Sequence, residues 1–186
     1  MEALLPVFIA VLLAETGGRM QRMANGLGLK FAEHGPLYLG LTISTLLNLG
    51  FGAVGGAVIA TMIAYDARSL LFGLALVFAG LPMLLRVGAP KIPRSPSGLT
   101  ASLTGFARVQ FGDASQFIVF AVAARAGEPL LALLGGVLGV LAAATPAILL
   151  GADWPGKLPL RLIRVAAAII LTLAGVWAAV AALRLI

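Results

Sequence analysis

The chain has 186 residues, 61% of them hydrophobic and only 11% charged, with a mean hydropathy of +1.07. A soluble domain covers its surface with about a quarter charged residues, so this composition excludes a soluble fold and leaves a membrane protein. The absence of cysteine excludes disulfides, thiolate metal sites and cysteine catalysis. The net charge of +6 comes from basic residues spread between apolar runs, which argues against nucleic-acid binding.

A helix crosses a bilayer with about 20 mainly apolar residues, and six segments meet that test. The first, 3–24, opens on "MEALLPVFIAVLLAETGG", which lacks the basic start and small-residue cleavage site of a signal peptide and is expected to stay as a span. It is followed by the turn-forming "NGLGLKFAEHGP" (25–36), whose His34, the single histidine, reads as a solvated loop residue. The second and third spans are 37–63 and 68–87, separated by "YDARS". A Pro/Ser-rich linker, 88–99, divides the chain, and the spans 100–124, 130–150 and 159–185 follow. The expected fold class is an all-α integral membrane protein, one transmembrane domain over 1–186 with six transmembrane helices.

The halves, 1–90 and 96–186, match at a constant offset of 95 residues. Gly17 pairs with Gly112, Gln21 with Gln116, Lys30 with Arg125, Glu33 with Glu128, and "LVFAG" (76–80) with "LTLAG" (171–175). One ungapped register points to an internal duplication. Three spans per copy is odd, so the second copy enters from the opposite face, giving two inverted-topology three-helix repeats of the kind common in secondary transporters. Arg22, Lys30, Arg86, Lys91, Arg94, Lys157, Arg161 and Arg164 fall on the linker side; Arg68, Arg125 and Arg184 fall on the other. By the positive-inside rule the 88–99 linker is cytoplasmic and both termini lie outside.

Charges deep in a span cost roughly 3 kcal/mol on insertion scales and mark functional positions. Glu15 and Asp113 are such charges, one in each repeat. Taking each motif as continuous helix, residues three or four apart share a face, so Gln110, Asp113 and Gln116 form one stripe and Glu15, Gly18 and Gln21 its counterpart. Thr16 and Ser115 lie at the edges. This set of carboxylate, amide and hydroxyl oxygens suits hard or borderline cations such as Ca²⁺, Mg²⁺ and Mn²⁺, with Glu15 and Asp113 as metal ligands. Gly17, Gly18 and Gly112 loosen the helix beside the acids, and Arg19 and Arg108 bring neutralising charge. The alternative is a structural pairing of these acids with arginines that glues the helices together.

"E-T-G-G-R-M-Q" (15–21) and "Q-F-G-D-A-S-Q" (110–116) resemble the E-x-G-D-[KR]-[ST]-Q signature that occurs twice in the Gdt-one/transmembrane protein 165 family. Glu15, Gly17, Arg19 and Gln21 match the first copy, with Gly18 in place of Asp. Gly112, Asp113, Ser115 and Gln116 match the second, with Gln110 in place of Glu and Ala114 in place of the basic residue. The resemblance implies a cation/proton exchanger that exports Mn²⁺ or Ca²⁺ from the cytosol and, for a bacterial member, resides in the inner membrane. It implies no resident cofactor and no enzyme activity, with the bilayer, the cation and protons as partners; a homodimer is compatible with it. Cation and protons would compete for Glu15 and Asp113, since metal binding needs the ionised carboxylates and releases their protons. The rival readings are a transporter of the same fold for another substrate, a degenerate subunit that does not itself transport, and an intramembrane enzyme, for which no Ser–His, Cys–His or paired-Asp arrangement stands in the spans.

Overall fold

The computed structural model describes residues 2–85, 88, 90–154 and 159–184. Arg86 and Lys157, two of the cations counted for orientation, lie outside the described residues. The chain is built of helices: α1 (Leu4–Glu15), α2 (Arg19–Lys30), α3 (His34–Ala60), α4 (Tyr65–Met83), α5 (Gly98–Gln110), α6 (Ala114–Ala126), α7 (Pro129–Leu150) and α8 (Leu160–Ala182). A short 3₁₀ turn, Gly151–Asp153, follows α7.

Four of these helices, α3, α4, α7 with its 3₁₀ turn, and α8, are long and apolar enough to cross a membrane. The α1/α2 pair makes a fifth if its two helices, bent by 70° at the break, count as one span. Two of the six expected spans are therefore not continuous helices. Segment 3–24 breaks at Thr16–Gly18, and segment 100–124 breaks at Phe111–Asp113. The cause is backbone geometry: Gly17 (φ +68°) and Gly112 (φ +72°) lie in the left-handed region that a side chain disfavours. In addition, α5 is short and polar, with Thr100, Ser102, Thr104 and Arg108 along it. The 25–36 loop is also shorter than expected. Asn25 turns its amide to the Ala147 and Gly151 carbonyls, so it does not compete with the helix, and α2 continues to Lys30. His34 falls in the first turn of α3, not in the loop.

Contacts along the helices fix their directions. The α1/α2 pair accompanies α7 in parallel: Leu4 lies against Gly135, Phe8 against Gly139, and Gln21 and Asn25 reach Ala143 and Ala147. The α5/α6 pair accompanies α3 in the same way, from Ser102 at Leu37, through Ser44 at Leu103 and Asn48 at Gln110, to Phe120 at Gly56. By contrast α4 and α8 are antiparallel, Gly73 facing Ala179 and Gly80 facing Ala168. Small residues allow this close approach, as expected where dispersion and not hydrophobicity drives helix association. A Cβ on Gly175 would lie 2.6 Å from the Gly73 carbonyl oxygen. The outward faces carry Leu47, Phe51, Phe78, Leu81, Ile170 and Leu173, all exposed, as a lipid-facing surface requires.

The element boundaries recur at the offset seen in the sequence. Helices α1 to α4 start at 4, 19, 34 and 65, and α5 to α8 start at 98, 114, 129 and 160, so the last three pairs differ by 95. The packing is less symmetric. On one side α4 lies against α6, where Arg125 stands over the Phe72 ring at 5.0 Å and the Arg68 guanidinium donates to the Ala124 carbonyl at 3.4 Å. On the other, α8 lies against α1.

Candidate functional site

Both breaks fall about half-way along the helix that accompanies them, and both are held by one device. The Gly17 N–H donates to Gln21 Oε1 at 2.7 Å, and Gln21 Nε2 donates to the Ala143 carbonyl of α7 at 2.5 Å. In the second half the Gly112 N–H donates to Gln116 Oε1 at 2.9 Å, and Gln116 Nε2 donates to the Asn48 carbonyl of α3 at 3.1 Å. Every member of one set lies 95 residues from its counterpart. Each glutamine satisfies a backbone N–H that the break releases, then ties that turn to the neighbouring helix, which an apolar medium demands of irregular backbone.

The motif residues therefore do not form stripes on continuous helices. Glu15 ends α1 and Gly18 caps α2, while Gln110 ends α5 and Asp113 caps α6. What brings the acids together is the pairing of helix ends. Glu15 is 2% exposed and its Oε1 accepts a hydrogen bond from the Ser115 hydroxyl at the start of α6. Asp113 is half-buried, and its Oδ1 accepts from the Ala114 N–H at 2.9 Å, capping α6.

Glu15 and Asp113 line a common cavity of about 590 Å³, together with Ala75, Ala79 and Pro82 of α4. Gly18, Arg19 and Gly112, all in the motifs, line it too. The remaining expected site residues stand behind this surface. Gln21 and Gln116 hold the breaks, and the Thr16 hydroxyl donates to the Leu12 carbonyl at 2.7 Å. Gln110 is buried, its Nε2 donating to Thr45 Oγ1 at 2.9 Å, while its Oε1 and the Asn48 Oδ1 are buried without a described partner. Ser115 touches the cavity chemistry through Glu15 alone. Arg108 is exposed and outside the lining.

The second arginine in the cavity is Arg164, which in the sequence stands among the loop charges. Its Cδ lies 3.1 Å from where a Cβ on Gly17 would stand, and its Nη2 donates to the Pro82 carbonyl at 3.3 Å. The repeat register gave no sign of it, because position 69, its counterpart, is Ser69. Among the described residues no three His, Cys, Asp or Glu side chains form a cluster. The charged lining is two carboxylates and two guanidiniums.

Residues 98–185 match the family model described as divalent cation/proton antiporter GDT1. That stretch holds Gln110, Asp113, Ser115 and Gln116 and the whole of α5 to α8 up to the end of the last helix. Neither a curated protein nor a solved structure matches the chain.

Proposed function

We propose that this multi-pass membrane chain, whose residues 98–185 match the divalent cation/proton antiporter GDT1 family model, belongs to that family, exchanges a divalent cation, Mn²⁺ or Ca²⁺, for protons and exports the cation from the cytosol. The observation that carries the proposal is the meeting of Glu15 and Asp113, one from each broken span, at a single cavity. Two carboxylates supply hard oxygen ligands for such a cation. With the cation absent, protons neutralise them in a medium where bare charge is costly, and metal binding displaces those protons. Exposure of the same two groups first to one face and then to the other converts this competition into exchange. Gln21 and Gln116 serve as struts of the site, and Ser115 orients Glu15.

The architecture that suits this cycle is a pair of inverted repeats, 1–90 and 96–186, joined by the cytoplasmic 88–99 linker, in the inner membrane of a bacterium with both termini outside. Three features support it. The glutamine struts are duplicated at the offset of 95. Helices α4 and α8, counterparts in the two halves, are antiparallel. Each broken pair runs with the central helix of the opposite half. Since α5/α6 keeps pace with α3 along its length, six crossings follow if both broken pairs traverse the bilayer. The cysteine-free chain makes orientation simple to test. A Ser97→Cys variant is expected to react with an impermeant maleimide only from the cytoplasm, and Ala126→Cys only from outside; reaction of both from one face would remove the inverted arrangement.

For the exchange itself, proteoliposomes with an imposed pH gradient are expected to accumulate Mn²⁺ or Ca²⁺ on the acidic side, with dissipation of the gradient as cation is added. Absence of flux for every divalent ion offered, in vesicles containing folded protein, would count against the proposal.

A further inference from the structure

The two breaks are not held alike. At each, the last residue before the turn gives its carbonyl to the N–H three residues on. Glu15 O accepts from the Gly18 N–H, and Gln110 O from the Asp113 N–H, both at 3.1 Å. The Gln110 carbonyl has a further donor, Asn48 Nδ2 at 2.8 Å. The backbone carbonyl of the same Asn48 accepts from Gln116 Nε2 at 3.1 Å, and Gln116 Oε1 holds the Gly112 N–H. One residue of α3 therefore grips the end of α5 with its side chain and the start of α6 through its main chain. The counterpart of Asn48 in the register of 95 is Ala143, whose methyl group can donate nothing. Helix α7 thus holds the start of α2 there and leaves the end of α1 without such a tie.

A second asymmetry runs the same way. Ser115, in the first turn of α6, donates to Glu15 across the halves, whereas its counterpart Met20 is apolar and returns no such bond. The start of α6 thus carries both Asp113 and the group that orients Glu15. Asn48 is 5% exposed and its Oδ1 has no partner among the described residues, so burying this amide costs stability that an apolar side chain would not. A local rule broken at such a cost is characteristic of a functional position. We infer that Asn48 is a positioning residue of the cation site: it fixes the second break against α3 and so places Asp113 directly and Glu15 through Ser115. The second break is then the template of the site and the first break the follower. The inference rests on the exchange reading for what the acids bind, not for how they are held.

The test compares the wild type with Asn48→Leu, close in shape and without the donor, in hydrogen exchange, thermal unfolding and Mn²⁺ binding of the full chain. Amides of 111–117 should exchange faster in the variant, and those of 17–21 at the wild-type rate. Half-saturation should need about tenfold more Mn²⁺, the equivalent of one lost hydrogen bond. The melting temperature should hold or rise, because Gln110 O keeps the Asp113 N–H and the unpartnered Oδ1 is gone. Asn48→Ala carries the comparison of exchange and binding if the leucine variant does not fold. Thr45→Val removes the partner of the Gln110 side chain on the same helix and should leave Mn²⁺ half-saturation close to that of the wild type. Lower stability with Mn²⁺ affinity intact would make Asn48 a structural residue and overturn the inference. Unchanged exchange at 111–117, or an equal loss of affinity in Thr45→Val, would overturn it as well. Faster exchange at 111–117 in the variant of a protein that binds no divalent cation would overturn the exchange reading instead and leave Asn48 as the holder of the two acids.

Discussion

Glu15→Gln is expected to abolish proton-driven cation flux while the protein stays folded. The amide has nearly the volume of the carboxylate, and its oxygen can still accept from the Ser115 hydroxyl. What disappears is the negative charge. A divalent ion and one carboxylate at 4 Å and an effective dielectric of about 20 attract by roughly 8 kcal/mol before desolvation offsets part of it, so removing one of two acids should cost a divalent ion at least about a thousandfold in affinity. The exchangeable proton at that position is lost as well, so flux and its coupling fail together. Asp113→Asn should do the same, because Asn remains a good helix cap and keeps α6 in place. Neither variant buries a new charge, so melting temperatures should hold or rise. Ser115→Ala removes one hydrogen bond and should cost at most about tenfold. Flux in vesicles, calorimetry with Mn²⁺ and thermal unfolding of each variant check these three statements. Wild-type exchange in both acid variants would reduce Glu15 and Asp113 to helix glue.

The second large effect is a contrast between two glycines that the repeat makes equivalent. Ala at Gly17 or Gly112 forces a side chain into the left-handed region, which costs about 1–2 kcal/mol. At Gly112 nothing lies within 4 Å of the added Cβ, so that cost is the whole of it. At Gly17 the Cβ would also press on Arg164, 3.1 Å away at Cδ, and displace the guanidinium from the Pro82 carbonyl. Gly17→Ala should therefore lower the melting temperature more than Gly112→Ala and should alone alter ligand affinity in the cavity. Chemical or thermal unfolding of the pair, with cation binding measured on both, decides it. Equal losses would mean that Arg164 does not lie over the first break.

Much of this was legible in the residues. Apolar run lengths located α3, α4, α7 and α8 to within a few residues, since a buried or lipid-facing helix leaves little room for polar side chains. The 95-residue register was readable because Gly and Gln must coincide in both halves for the same turn to be held. The glycines beside the acids pointed to a loosened helix at 16–18 and 111–113, but not to a full break, because a left-handed glycine looks like any other glycine in a Gly-rich chain. The spacing of Gln21 and Gln116 suits cation ligands; their bonds to carbonyls more than 60 residues away, at Ala143 and Asn48, come only from tertiary packing. Arg164 was hidden for the same reason, being near a loop in sequence and near Gly17 in space.

The partnership of α1/α2 with α7 has a bearing on biogenesis. Gln21 and Asn25 depend for their partners on carbonyls at 143, 147 and 151, which leave the ribosome more than a hundred residues later. During synthesis the first half must wait in the translocon or the lipid with its amides unanswered, while α3 likewise waits for α5/α6. Each half closes its own turn but neither can anchor it, so the chain is expected to mature as one interlocked unit and not as two successive hairpins, with the late arrival of α7 anchoring the first break.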